Sequence, residues 1–439
     1  MCETEDDIIT VGKYVIVKKL NFKKIYKVTG NGTLMLGKDL VGMHEIIGKR
    51  FWTTFEMVSV KEGKRMFSLK EVVETESLND LLNELPSGCD NRSIIDDGTS
   101  QKLSKEEILQ FQESGKSGKE IVGSLIENNK SFLDRTEYSQ EKYLKKKEQK
   151  YLRYLTICKP NISSLHDVYF KLDHRKIGNL RMDTLAQLLS YSDVQSDGLY
   201  ILYDSGSQGL PAAALLNRIG SNTEGHLINL HPGNVPQAML VNAMNFPKEQ
   251  LDRLVNVNIY SFLRLYYQGE SAVLNNISKK SQNKKDLSNV DELNEVTERN
   301  NEIEECSRES SLKRKLKDSN ESEEVTPIKK PRWLLETQHA VELVKNSKAR
   351  GLAIIAKEHP LNIAMALLPF LGLSRPFVIY HIYREPLQET YMMLKQKQNV
   401  INLRLFSNFI RSYQVLPDRT HPDILTSDTG GYLLTGYLV

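Results

Sequence analysis

From Leu199 onward the chain alternates between two rhythms, and this alternation narrows its fold more than any other feature of its 439 residues. Leu199 to Tyr203 and Leu227 to Leu230 are short, continuous apolar runs, as a strand buried on both faces requires. Between them, Leu210 to Ile219 is a helical run with Pro211 in its first turn, where a missing N–H costs nothing. Gly351 to Ala356 and Phe377 to Tyr380 repeat the pattern, each followed by a helical stretch. Val400 to Leu405 and Tyr432 to Val439 close the chain as strands. Parallel strands need long crossovers, so the pattern predicts an α/β region with a mostly parallel, doubly wound sheet.

Upstream, residues to about Glu76 read as a small all-β unit. Tyr14 to Val17, Lys24 to Val28, Thr33 to Leu36 and Phe51 to Val58 are β-branched and aromatic, with Gly30, Gly32, Gly37 and Gly48 between them. Such spacing predicts a small barrel or sandwich. The polar stretch Asn91 to Gln101 leads to Ser104 and Glu107, an S-x-x-E capping box that opens a helix. A second helical pattern, about Gln140 to Leu155, carries Lys142, Lys145, Lys146, Lys147 and Lys150.

Residues 271–330 contain no Gly and no aromatic residue, but 12 Lys/Arg and 13 Asp/Glu. Such a segment cannot bury enough apolar area to offset its ordering entropy, which predicts a disordered insertion. It ends in two basic clusters, Lys313 to Lys317 and Lys329 to Arg332, read either as a solvated linker or as a two-part nuclear import signal. The expected division is 1–90 barrel-like, 91–156 polar loop and helical connector, 157–270 and 332–439 the two parts of the α/β domain, and 271–331 the insertion.

Total charge is only +3, so any affinity for nucleic acid must come from where the charges sit. Cys2, Cys89, Cys158 and Cys306 lie far apart, which argues against a disulfide framework and a zinc site and for a reducing, intracellular setting. The acidic start has no apolar stretch behind it, and no run approaches the ~18 residues of a membrane span. The expectation is a protein neither secreted nor inserted in a membrane.

A doubly wound sheet takes its nucleotide over the first strand–turn–helix. That turn is Asp204-Ser205-Gly206-Ser207-Gln208-Gly209-Leu210. Methyltransferases that use S-adenosylmethionine need glycines here and an acid at the end of the next strand for the ribose hydroxyls. Asp204 and Gly206 keep the start of the pattern. Gln208 stands where glycine is wanted, and the next strand ends Asn229-Leu230-His231-Pro232-Gly233 without an acid. A neutral imidazole offers one acceptor, and a protonated one offers none. Methylating a ring nitrogen of adenine needs a proton acceptor near the fourth strand. That strand ends in Lys357, better suited to phosphate, and Glu358 has only its identity to recommend it as a base. Two readings stand: a crevice that has lost its cofactor, and an active methyltransferase with a divergent loop.

Four segments carry a family resemblance. Ser139 to Lys147, Lys176 to Gln187, Tyr413 to Pro422 and Gly430 to Leu434, together with Asn91 to Gln101, resemble the non-catalytic subunit of the tRNA adenine-N(1)-methyltransferase that forms 1-methyladenosine in the T-loop. The resemblance runs from about Val11 to Val439, outside the insertion. It implies an N-terminal β-barrel, a helical connector and a Rossmann-like methyltransferase domain without cofactor. It also implies a nuclear heterotetramer, two copies of each subunit, with S-adenosylmethionine on the catalytic partner only and much of the tRNA surface on this one. The alternatives are an active S-adenosylmethionine-dependent RNA methyltransferase and a nuclear RNA-binding scaffold without such a partner.

RNA affinity rests on lysines and arginines along phosphates, with polar donors and stacking aromatics adding grip on loops. The candidates on the helical pattern are Lys142, Tyr143, Lys145, Lys146, Lys147 and Tyr151; Lys142, Lys145 and Lys146 share one face. Asn91, Arg92, Thr99, Ser100 and Gln101 form a donor-rich loop, and Arg175 and Lys176 a clamp before a helical run. Lys357, Lys395, Lys397, Asn399, Arg404, Gln414, Arg419 and His421 complete the set. A lysine-rich helix is otherwise a solvated face, the polar loop an ordinary connector, and His421 a structural hydrogen-bonder.

Overall fold

The computed structural model describes residues 7–60, 65–73, 88, 100–113, 118–271, 331–415, 420–423 and 430–439. Asn91, Arg92, Thr99, Arg419 and residues 272–330 of the expected insertion lie outside them.

The chain begins with six strands: β1 (Tyr14–Lys19), β2 (Phe22–Lys27), β3 (Thr33–Leu36), β4 (Asp39–Gly42), β5 (Thr54–Ser59) and β6 (Met66–Val72). Three helices follow, α1 (Lys105–Glu113), α2 (Gly118–Glu127) and α3 (Glu137–Tyr151), and then β7 (Tyr154–Cys158). Strand β7 returns to the first sheet, whose order is β2-β1-β7-β5-β6-β4-β3. It pairs antiparallel with β1, Ile16 opposite Cys158, and with β5, Phe55 opposite Leu155. This corrects the expected boundary at 156, which cuts through a strand. The helical connector is an insertion within the N-terminal unit, not a bridge after it.

The capping box at α1 is reciprocal: Ser104 N donates to Glu107 Oε2 at 2.7 Å, and Glu107 N to Ser104 Oγ at 3.1 Å. Helices α2 and α3 close over Val122, Leu125, Phe132, Leu144 and Tyr151, a small core of their own. Buried Gln140 donates to Phe132 O at 3.0 Å and so ties α3 to the preceding loop.

The rest of the chain is α4 (Ile162–Asp173), α5 (Met182–Tyr191), β8 (Leu199–Asp204), α6 (Leu210–Ile219), β9 (His226–His231), α7 (Met239–Ala243), α8 (Lys248–Asp252), β10 (Leu254–Asn258) and α9 (259–271). It continues with α10 (Arg332–Asn346), β11 (Gly351–Ile355), α11 (Pro360–Leu367), β12 (Pro376–His381), α12 (Glu385–Lys397), β13 (Val400–Phe406), β14 (Tyr413–Gln414), β15 (His421–Pro422) and β16 (Tyr432–Leu438). The second sheet runs β10-β9-β8-β11-β12-β16-β13. Its first five strands are parallel, and β16 slots antiparallel between β12 and β13. This is the expected Rossmann-like α/β architecture. Strands β8, β11 and β12 are buried at every residue. Alternate side chains feed two cores: Ile201, Tyr203 and Ile354 on one face, Tyr200, Leu202 and Ile355 on the other. Strand order reverses between β8 and β11, which opens a crevice at their carboxyl ends. Among the described residues no helix is long and apolar enough to cross a membrane.

Strands β1 and β7 belong to two cores at once. Val15 and Val17 point into the N-terminal core while Ile16 points into the Rossmann core; Leu155 and Ile157 oppose Cys158 in the same way. A strand with both faces covered cannot slip register without exposing one set. The side chain of Asn245 completes the junction. It accepts from Tyr14 N at 2.7 Å and donates to Tyr14 O at 2.8 Å, as a neighbouring strand would. Its φ of 55° is left-handed, where Asn is tolerated better than most residues. Replacing Asn245 with Ala should destabilise the protein by about 1–3 kcal/mol, since two backbone groups lose partners. Urea unfolding of the variant and the parent protein measures this, and equal midpoints would show that the junction does not need the amide.

Candidate functional site

The turn after β8 is built around one carboxylate. Asp204 is 6% exposed; Oδ1 accepts from Gly206 N at 2.9 Å and Ser207 N at 3.0 Å, and Oδ2 from Ser207 Oγ at 2.6 Å. Burial pushes this carboxyl up, against the pull of those donors and of Lys357. Gly206, at φ 139°, lies under Lys357: a Cβ there would sit 2.9 Å from the ammonium nitrogen.

The loop after β9 closes the turn. Gln208 has φ 59°, and its N–H donates to Gln237 Oε1 at 3.1 Å, with its amide 3.4 Å from the same oxygen. A Cβ on Gly209, at φ 75°, would stand 2.6 Å from Gln237 O. Leu240 N donates to Gln208 O at 3.0 Å, so Gln208 and Gln237 engage each other over the turn. At the end of β9, His231 is buried, with Nδ1 2.9 Å from Gly233 O. A carbonyl only accepts, so Nδ1 carries the proton and is committed to the loop. Asn258 Nδ2 donates to the same carbonyl at 2.9 Å. The residues of this strand end, Asn229 to Gly233, include no acid.

Across the reversal, β11 ends at Ile355 and is followed by Ala356-Lys357-Glu358-His359. Lys357 N donates to Ser205 Oγ at 2.7 Å and lies 3.1 Å from Glu358 Oε2. The Tyr203 hydroxyl donates to Glu358 Oε1. Burial pushes the Tyr203 phenol up, and the bond to Glu358 adds to this. Burial also pushes the Glu358 carboxyl up, but the bonds from Tyr203, Ser205 and the backbone outweigh it and hold the group below its usual range. A carboxylate kept ionised by several donors is a poor proton acceptor. Beside this turn is a cavity of about 330 Å³ whose lining includes Arg175, Asn179, Ser205, Gly206, Lys357 and Tyr383. Among the described residues its lining includes two cations and no carboxylate, so it favours an anion.

The predicted RNA-facing residues fall into three places. On α3, Lys142, Lys145 and Lys146 are exposed on one face, with Lys145 2.8 Å from Glu141. Lys147 is half-buried with its ammonium 4.9 Å from the Tyr143 ring centroid, and burial, then Lys150 and Lys146, pushes it down. Tyr143 meets Phe132 edge-on at 5.3 Å, and burial pushes its phenol up. Tyr151 is only 5% exposed, so the expectation that it stacks on a base is corrected: the helix spends it on its own core. Gln101 is likewise engaged, its Nε2 donating to Leu125 O at 2.9 Å, with Ser100 beside it accepting from Lys130 N at 3.0 Å.

Arg175 and Lys176 sit exposed in a 3-10 turn, His174–Ile177, at the cavity rim rather than in an open loop. Lys395 and Lys397 are in the last turn of α12, Lys395 5.8 Å from the Tyr391 ring and Lys397 3.0 Å from Met365 Sδ. Asn399 receives Val439 N on its carbonyl at 2.9 Å, and Arg404 Nε donates to Asn402 Oδ1 at 3.1 Å. Gln414 and His421 face each other across the β14–β15 pair at 3.2 Å. The sequence reading missed Asn179, Tyr383 and Gln237. Tyr383 follows the end of β12, where the strand-end rule would have found it; nothing local marks Gln237.

The description "Gcd10p family" belongs to the family model that matches residues 8–298. The chain is 32% identical to the mouse "tRNA (adenine(58)-N(1))-methyltransferase non-catalytic subunit TRM6", over 99% of this chain and 89% of that protein. It is 29% identical to the Dictyostelium discoideum protein of the same description, over 99% and 80%. Among solved structures it is similar to an S-adenosylmethionine-dependent O-methyltransferase from Thermotoga maritima, at 10% identity and TM-score 0.48 over 100% and 97% of the two chains. The tRNA (m1A58) methyltransferase TrmI from Aquifex aeolicus is also similar, at 9% identity and TM-score 0.36 over 99% of each chain.

Burial pushes the imidazoles of His231 and His166 below the ordinary 6.5. The unfolded chain then binds these protons more readily than the folded one, so the stability they contribute is complete above pH 6.5 and is lost as pH falls. Unfolding free energy should decline from about pH 7 to about pH 5, and His231→Gln should make that decline shallower. Urea titrations across this range check it, and an unaltered slope in the variant would remove His231 from the account.

Proposed function

The chain belongs to the Gcd10p family, and on that premise we propose that it is the non-catalytic, tRNA-holding subunit of the tRNA adenine-N(1)-methyltransferase. It does no methyl transfer of its own; a catalytic partner forms 1-methyladenosine in the T-loop. The observation that carries this reading is the near full-length match to the mouse non-catalytic subunit. The crevice agrees with it. Gln208 and Gln237 engage over the turn that a cofactor would cross, and His231, already committed to Gly233, stands where a ribose needs an acid.

Several finer points belong to the same reading. S-adenosylmethionine binds only the partner, in a nuclear heterotetramer with two copies of each subunit. The N-terminal sheet is a barrel, and the basic clusters Lys313 to Lys317 and Lys329 to Arg332 serve as the import signal. The tRNA lies along the exposed lysines of α3, the Arg175–Lys176 turn, Lys357 and the C-terminal residues Lys395, Lys397, Asn399, Arg404, Gln414, Arg419 and His421. Asn91, Arg92, Thr99 and Ser100 add donors at the connector. Phosphates supply most of the affinity, and polar groups at the loops supply the grip.

Three measurements test the proposal. Calorimetry on the isolated chain should show no binding of S-adenosylmethionine, and the partner should methylate a tRNA transcript only when this chain is added. Micromolar cofactor binding by the lone chain would favour the active-methyltransferase reading. Changing Lys142, Lys145 and Lys146 to Ala together should weaken tRNA binding and reduce its salt slope by up to about 0.9 for each phosphate left without its lysine. Lys147→Ala should leave that slope nearly intact, because its ammonium packs against Tyr143. Equal slopes in the triple variant and the parent would take α3 off the tRNA surface.

A further inference from the structure

Two segments with predicted tRNA contacts, the Arg175–Lys176 turn and the stretch bearing Gln414 and His421, are linked through one buried node. Arg181, 8% exposed, caps the start of α5. Its Nε donates to Asp183 Oδ1 at 2.6 Å and its Nη2 to Asp183 Oδ2 at 2.8 Å, a two-pronged pair. The same Nη2 donates to Asn408 O at 2.9 Å, beyond the end of β13. Gly430 lies against the guanidinium: a Cβ there would sit 2.8 Å from Arg181 Cζ and 2.9 Å from Nε. Buried Thr184, one residue after Asp183, donates from Oγ1 to Gly430 O at 2.9 Å.

The next residue extends the node. Gly431 has φ 74°, and a Cβ on it would come within 2.3 Å of the Tyr380 ring. Tyr380 in turn donates its hydroxyl to Gly178 O at 3.0 Å. Gly178 caps the 3-10 turn that presents Arg175 and Lys176. Asn408 and Gly430 flank the stretch that contains the β14–β15 pair, with Gln414 and His421. Removing any member of the node leaves a buried charge or a buried polar group without its partner.

We propose that Arg181 is a positioning residue for tRNA binding: through Asp183, Asn408 and Gly430 it fixes both ends of the segment bearing Gln414 and His421 against the Arg175–Lys176 turn, so that these side chains meet the RNA as one surface. This rests on the tRNA-holding function proposed above. The node needs a guanidinium and not just a cation, because one planar group reaches a carboxylate with two prongs and a carbonyl with a further bond. It also needs two glycines, since both positions abut side chains of the node.

The test uses the complex with the catalytic subunit and an unmodified tRNA transcript as the probe. Dissociation constants are measured at one salt concentration for the parent, Arg181→Lys, Gly430→Ala, Gln414→Ala/His421→Ala, and the combination of Arg181→Lys with the latter pair. Arg181→Lys and Gly430→Ala should each weaken binding by about tenfold. The combined variant should bind no more weakly than the worse of its two parents, because a misplaced Gln414 and His421 have nothing left to lose. Should Arg181→Lys fail to assemble, Asp183→Asn, which keeps the shape and removes the charge, takes its place in the cycle. Parent-like affinity in both single variants of the node, or losses that multiply in the combined variant, would overturn the proposal while leaving the tRNA-holding function standing. A parent complex that does not bind the transcript would instead remove that function and the positioning role with it.

Discussion

Two strands hold this molecule together by facing two ways. In β1 and β7 the side-chain period of two sends neighbouring residues into different cores, Val15 and Val17 to one and Ile16 to the other. The junction between the N-terminal sheet and the Rossmann domain is therefore continuous packed interior and not a contact between finished surfaces. Asn245 adds the hydrogen bonds that a further strand would have supplied to Tyr14.

In the crevice, the frame of a doubly wound fold is kept while side chains from two loops meet over its first turn. Asp204 still organises the turn after β8 with three donors, as a structural carboxylate should. Gln208 and His231 were legible in the sequence because the requirement they violate concerns residue type: a glycine for backbone approach and an acid for hydroxyl protons. The part played by Gln237 was not, since its oxygen arrives from the loop after β9 and only the fold brings it to the turn. Glu358 was equally opaque. Its environment, and above all the Tyr203 hydroxyl, decides that it is a held ion and not a base.

The α/β region was readable for the reason that makes parallel sheets distinctive: β8, β11 and β12 are buried at each residue and so appear as unbroken apolar runs. Strand β10, Leu-Val-Asn-Val-Asn, escaped notice because polar residues alternate in it; Asn256 is satisfied by Asn229 at 2.8 Å on the neighbouring strand. Around α3 the lysine face followed from helical spacing, but spacing cannot say which aromatic the core will take, and Tyr151 went inside. The end of that helix was misplaced because Tyr154 to Cys158 continues its apolar content without a Gly or Pro, and its strand identity comes from pairing with β1 and β5. Arg181 lies two residues from its carboxylate partner Asp183, but the node they form was hidden because Asn408 and Gly430 are remote in the chain.

The placement of the helical connector inside the first sheet bears on the order in which a growing polypeptide acquires structure. Ile16 has no neighbour on one side until Cys158 has been made, so the first sheet must wait for the whole α1–α3 excursion to be synthesised. Pairings this distant are slow to close and leave strand edges open meanwhile. The connector helices have a small core of their own and can form first. During translation they would shorten the effective gap between β6 and β7, turning a long search into a local one.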